Sequence, residues 1–215
     1  MEGVLFLPKS LASIVMCSAT SLTVRLLENQ PEDLVLWTLS MFARSEAAKI
    51  KIEIFYLACK NGYTNLLTWL VDILRLDGED ARSVDNWALR MACENGRTDT
   101  AKWLVDTFKL DEKDARSRDN AALRSACENG HTETAKWLID TFKLDGKDAR
   151  SQDNYGLRWA CVNGHTETAK WLVDTFKLDV KDARSADNDA LLVACANGHT
   201  ETAKWLVDTF ELHVS

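Results

Sequence analysis

Ala135, Leu138, Ile139 and Phe142 stand at i, i+3, i+4 and i+7, with Lys136 and Asp140 between them. That stripe predicts an amphipathic helix from Glu133 to about Phe142. Thr132 precedes it as the expected N-cap, and Glu133 near its start and Lys143 near its end suit the helix dipole. Upstream, Asp119 and Asn120 read as N-caps of a shorter helix from about Ala121 to Glu128, with Leu123, Ala126 and Cys127 toward the core. Asn129-Gly130 ends it, because glycine readily takes the left-handed conformation that stops helices. The stretch LDEKDARSRDN from Leu110 to Asn120 is polar and has little β character. The pattern therefore predicts two helices and a polar connection.

The same pattern returns. Asp80, Asp114, Asp148 and Asp182 each open a block of 34 residues, and a blurred copy precedes them, with Cys59, Asn61, Gly62, Trp69 and Asp72 in register. A fixed period of this length predicts a stack of small units, each contacting its neighbours. The expected division is a non-repeating 1–45, a degenerate repeat 46–79, and repeats 80–113, 114–147, 148–181 and 182–215. Within the first segment, Ser21 to Glu28 and Glu32 to Arg44 read as amphipathic helices broken at Pro31, a cap over the first repeat. The predicted fold class is all-α, a helix-turn-helix solenoid.

The run ALRxACxNGHTETAKWL resembles the ankyrin repeat, whose motif reads TPLHxAAxxGHxEVVxLLL. Leu123, Ala126, Gly130, His131, Glu133, Lys136 and Leu138 fall on matching positions, and the match recurs in every block. It covers residues 80–215 well and 46–79 loosely. Three features depart from the family. The Thr-Pro start is missing, the histidine after it is replaced by Arg90, Arg124, Arg158 and Leu192, and each copy is one residue longer. The connection lacks the usual hairpin sequence, so short turns or a turn of helix are expected in place of β-fingers.

Net charge is -7, which disfavours general attraction to nucleic acid or anionic lipid. The charge sums to zero over 114–147 and 148–181 but to -4 over 182–215. Five of the six cysteines, Cys59, Cys93, Cys127, Cys161 and Cys195, share one column of the repeat. Stacked helices hold equivalent atoms about 8–10 Å apart, and a disulfide needs Cα atoms closer than about 7 Å. They are expected to be buried, unlinked thiols in a reducing, cytoplasmic setting. Ser10 to Val24 is uncharged, yet Glu2 and Pro8-Lys9 interrupt the pattern of a cleaved signal. No stretch is long and apolar enough to span a membrane.

No catalytic motif appears, and no cofactor or metal site is expected. His131, His165 and His199 recur once per repeat, whereas catalysis needs one convergent site. The tryptophans Trp69, Trp103, Trp137, Trp171 and Trp205 are read as core, filling the seams between repeats. Arg82, Arg116, Arg150 and Arg184, with Asp85, Asp119, Asp153 and Asp187, are expected to bond loop to loop between neighbours.

The informative positions are those that differ between copies. Between 114–147 and 148–181 only seven of 34 positions change. Over all four copies, the freest helical columns are spaced i, i+4, i+7 and share one face of the first helix. A further free column, containing Val84, Arg118 and Gln152, flanks the connection. The resulting candidate partner-binding residues are Val84, Trp87, Met91, Glu94, Arg118, Ser125, Glu128, Gln152, Tyr155, Trp159, Val162, Asp189 and Val193. Drift on a wet surface favours polar residues, whereas this face collects aromatics and Met91, which are enriched at protein interfaces. The resemblance implies the same surface, since ankyrin proteins commonly bind along the inner helix and fingers. The expected function is a non-enzymatic scaffold for a partner protein. A competing reading rests on Leu7-Pro8, Leu11 and Val15, loosely similar to the start of an F-box, and makes the chain a substrate adaptor for ubiquitin ligation. Trp205 and Phe210, in the last copy, mark an end expected either to pair with another molecule, by self-association for one, or to belong to a chain cut short of further repeats.

Overall fold

The computed structural model describes residues 47–212. The expected N-terminal cap helices, the F-box-like positions and the sixth cysteine, Cys17, lie outside the described residues. Those residues form thirteen helices and no strand, so the all-α expectation holds. They belong to two compact units, divided between Leu76 and Asp77.

In the first unit, α1 (Ala47–Asn61) and α2 (Thr64–Leu74) pack as a helical hairpin. Phe55, Ala58 and Cys59 are buried with Leu66, Leu67 and Leu70, and Gly62 turns the chain at a φ of 80°.

The second unit repeats one design. Its helices are α3 (Gly78–Glu94), α4 (Thr98–Phe108), α5 (Glu112–Ala115), α6 (Ser117–Glu128), α7 (Thr132–Phe142), α8 (Gly146–Ala149), α9 (Ser151–Val162), α10 (Thr166–Phe176), α11 (Val180–Ala183), α12 (Ser185–Ala196) and α13 (Thr200–Phe210). The first helices α3, α6, α9 and α12 pack in one row and the second helices α4, α7, α10 and α13 in another. The buried alanines Ala92, Ala126 and Ala160 and the cysteines beside them let the first helices approach closely. Leu104, Leu138, Leu172 and Leu206 fill the layer between the rows. Each second helix ends on a left-handed residue such as Lys143, φ 51°, after which Leu144 donates its N–H to Ile139 O at 3.2 Å and is buried.

The connection is a single turn of helix, α5, α8 or α11, in place of a β-finger. Its caps are Asp111, Asp145 and Asp179. Asp145 Oδ1 accepts from the N–H of Lys147 at 2.7 Å, and the Asp145 N–H donates to Asp148 Oδ2 at 2.8 Å, a reciprocal capping box. Asp119 and Asn120 instead continue a left-handed turn begun by Arg118, with φ of 51°, 55° and 61°. Val84-Asp85-Asn86, Gln152-Asp153-Asn154 and Ala186-Asp187-Asn188 do the same. Aspartate and asparagine tolerate this conformation better than other non-glycine residues, which is why the last two places read Asp-Asn in every copy. Thr132 does not cap its helix either; no side chain does, and its hydroxyl meets Thr168 of the next repeat at 2.6 Å.

Candidate interaction surface

The left-handed turn is held by an arginine four residues beyond its asparagine. Arg124 donates from Nε to Asp119 O at 2.8 Å and from Nη2 to Arg118 O at 3.0 Å. Arg90 grips Asp85 O and Val84 O in the same way, each at 3.1 Å. Arginine therefore stands where the ankyrin motif has histidine because a planar two-donor group can close the turn. Sequence reasoning noted the replacement and missed this role. In the last copy Leu192 takes this place and is 44% exposed, and the Ala186-Asp187-Asn188 turn is left-handed without the arginine, so the clamp reinforces the turn rather than creating it.

The turn pushes its variable first residue outward. Val84 is 61% exposed, and Arg118 and Gln152 are exposed as well. Gln152 Nε2 donates to Asp119 Oδ2 at 2.7 Å, and Arg118 Nε lies 4.0 Å from the Asp85 carboxylate, so neighbouring turns touch. Ser117 Oγ adds a bond to Asp85 O at 3.1 Å. The expected loop-to-loop role of Asp85 and Asp119 is found. The arginine column bonds elsewhere: Arg82, Arg116 and Arg150 reach Asp114, Asp148 and Asp182 in the next repeat.

On the first helices, Trp87, Met91, Glu94, Ser125, Glu128, Tyr155, Trp159, Asp189 and Val193 are all half-buried. Tyr155 and Trp159 stack with ring centroids 5.6 Å apart, and the Tyr155 hydroxyl donates to Glu128 Oε2 at 3.0 Å. The Arg124 guanidinium covers the Tyr155 ring at 4.7 Å and that of Arg90 covers Trp87 at 4.8 Å. Arg158 Nη2 donates to Asp189 Oδ2 at 2.9 Å. Tyr155 thus meets Glu128 of the preceding repeat and Asp189 meets Arg158, while all of these variable residues stay part-exposed. Burial, together with the Glu128 carboxylate, pushes the Tyr155 phenol above its ordinary 10.0.

Val162 does not belong on this surface. It is 4% exposed, while Glu94 and Glu128 in the same column are half-buried. It is the last residue of α9, and Asn197 of the next repeat bonds its carbonyl just as Asn163 bonds that of Glu128, so the difference lies in the side chain: the apolar valine packs inward where glutamate keeps its carboxylate out. Phe210 is likewise inside, as buried as Phe108, with the half-buried Trp205 ring against its face at 5.9 Å. The tryptophans are half-buried in the repeats, each of Trp103, Trp137 and Trp205 making an edge contact with the phenylalanine of its own helix.

The remaining columns are structural. The rings of His131, His165 and His199 lie over Gly96, Gly130 and Gly164, where any Cβ would stand 2.5 Å from Nδ1. Burial, foremost, lowers the pKa of His131 and His165 below 6.5. Cys59, Cys93, Cys127 and Cys161 are free and buried, and burial pushes Cys127 and Cys161 up to about 12. Cys195, expected to be buried with them, is exposed because among the described residues no first helix packs beyond α12. No group of three or more His, Cys, Asp or Glu among the described residues could hold a metal ion. Among them, no helix is long and apolar enough to cross a membrane.

Two family models match the chain, both described as ankyrin repeats: one of three copies over residues 55–153 and one of many copies over residues 157–207. No curated protein matches it.

Proposed function

Because this chain belongs to the ankyrin-repeat family, whose repeats are generally protein-interaction modules, we propose that it is a non-enzymatic scaffold gripping a partner protein along its first helices and left-handed turns. One observation carries this reading. The positions that differ between otherwise near-identical repeats include the half-buried Trp87, Met91, Tyr155 and Trp159 on the first helices and the exposed Val84, Arg118 and Gln152 on the turns before them. Aromatic residues held rigid by neighbours lose little freedom on binding, so they suit the centre of an interface. The exposed turn residues form its rim. The buried free thiols support a reducing, cytoplasmic setting.

The test is quantitative affinity purification with the full chain and with a Val84→Asp, Arg118→Glu, Gln152→Lys variant. These side chains are exposed, and circular dichroism with a melting curve matching the wild type verifies that the variant is folded. A partner enriched by the wild type and lost from the variant supports the reading, and equal enrichment contradicts it. The adaptor reading depends on Leu7, Pro8, Leu11 and Val15, outside the described residues, and capture of the ligase's linker subunit by the full chain would support it. A second association surface lies at the C-terminal end of the stack, around the exposed Val180 and Leu192 rather than the buried Phe210.

A further inference from the structure

The clamp arginines do not hold their left-handed turns equally. Arg90 and Arg124 each aim two donors, Nε and Nη2, at the turn, over distances of 2.8–3.1 Å. Arg158 stands in the same column and makes one long bond to its turn, from Nη1 to Asp153 O at 3.5 Å. Its Nε is buried and meets no acceptor among the described residues.

The cause lies 31 residues further on, in the next repeat. That place holds Ala121 for Arg90, Tyr155 for Arg124 and Asp189 for Arg158. An alanine side chain accepts no hydrogen bond, and Arg90 lies over the ring of Trp87 on its own helix, 4.8 Å from the centroid. Tyr155 offers Arg124 the face of its ring, at 4.7 Å. A ring face attracts the guanidinium plane and leaves the in-plane N–H groups to the backbone carbonyls. A carboxylate does the opposite. Asp189 Oδ2 accepts from Arg158 Nη2 at 2.9 Å, and this charge-assisted bond is stronger than one to a carbonyl. The planar fork is rigid, so turning Nη2 onto Asp189 takes Nε away from the turn.

We propose that Asp189 is a positioning residue that loosens the turn of the repeat before it. Gln152 then stands on an adaptable part of the partner-binding rim, and Val84 and Arg118 stand on fixed parts. The idea rests on the interaction-surface reading above. The side chain of Gln152 still donates to Asp119 Oδ2 at 2.7 Å, an exposed bond, so the looseness belongs to the backbone of residues 152–154. Fixed contacts lose little freedom on binding, whereas an adaptable one adjusts to the shape it meets. The column of Ala121, Tyr155 and Asp189 therefore varies in more than what it shows a partner. An apolar group or a ring there leaves the preceding clamp closed, and a carboxylate opens it.

Amide hydrogen exchange of the free full chain, resolved by NMR, tests the proposal. The N–H groups of Asn120 and Asn154 donate to Arg116 O and Arg150 O, each at 3.2 Å, and both asparagines follow an aspartate, so their intrinsic rates match. Asn154 is expected to exchange about ten-fold faster than Asn120. Asp189→Leu frees Arg158 for its turn and should slow Asn154 by about ten-fold, to the rate of Asn120. Asp189→Asn keeps the shape, removes the charge and should move the rate the same way by less. If the Arg158–Asp189 pair merely braces the seam, both substitutions quicken exchange at Asn154. Quickened or unchanged exchange overturns the proposal, as do equal rates for Asn120 and Asn154 in the unsubstituted chain. No partner enters the measurement, so its failure is separable from failure of the partner-binding reading.

Discussion

Arg116 and Asp148, 32 residues apart, meet through two hydrogen bonds of 2.9 Å, Nε to Oδ1 and Nη2 to Oδ2. The pair joins the short helix of one repeat to that of the next. The Asp148 carboxylate also accepts from the Asp145 N–H, and so ties the capping box to the seam. Burial opposes its charge, but these hydrogen bonds outweigh burial and hold its pKa below 3.8.

Arg116→Ala leaves that carboxylate, 6% exposed, short of two donors. The expected loss is about 1–3 kcal/mol, since the arginine itself is partly exposed. Arg184→Ala should cost nothing measurable. Urea unfolding of the two variants side by side checks the contrast, and equal effects would show that the seam contact is idle.

The left-handed turns should be improvable. Val84 is a β-branched residue at φ 51°, a conformation costing roughly 1–2 kcal/mol for side-chain-bearing residues. Val84→Gly removes that strain but increases the freedom of the unfolded chain, so a net gain of about 0.5–1 kcal/mol is expected. Arg124→Leu acts in the other direction. It frees the carbonyls of Arg118 and Asp119, and amide exchange near Asn120 should quicken.

Stability should fall on mild acidification. The folded pKa of His131 and of His165 lies below the ordinary 6.5, so the unfolded chain takes up protons first. The stabilisation is complete above pH 6.5 and is lost as pH falls through the lowered folded values. The melting temperature should therefore drop between pH 7.5 and 5.5, and His131→Gln with His165→Gln should flatten that slope. An unchanged slope would place the titrating groups elsewhere.

Thiol labelling followed by peptide mapping should divide one sequence column in two. Cys195 is exposed and should react in the native protein, whereas Cys59, Cys93, Cys127 and Cys161 should require unfolding. Rapid native labelling of Cys127 would mean the first helices are not packed as described.

Much of this architecture is legible in the sequence because each second helix carries its stripe alone. Thr132–Phe142 is one residue longer than the stripe at Ala135, Leu138, Ile139 and Phe142 suggests. The first helix is less legible, because Asp and Asn suit both an N-cap and a left-handed turn. Asp119 and Asn120 sit where caps belong and take the second role. The seams are hidden for another reason. Their partners lie 32, 35 or 36 residues apart, off the period of 34, so columns of identical residues do not reveal them. Val162 shows the limit of reading a face by spacing: it shares a column with the half-buried Glu94 and Glu128, yet its apolar side chain is buried.

The central claim is that a partner lies along the first helices and their left-handed turns. Hydrogen exchange of the full chain, free and with the protein it captures, tests it most directly. The account predicts slowed exchange in the left-handed turns and at the starts of the first helices, over residues 84–91, 118–125 and 152–159, with the second helices unchanged. Protection confined to the second helices, α4, α7 and α10, would contradict it.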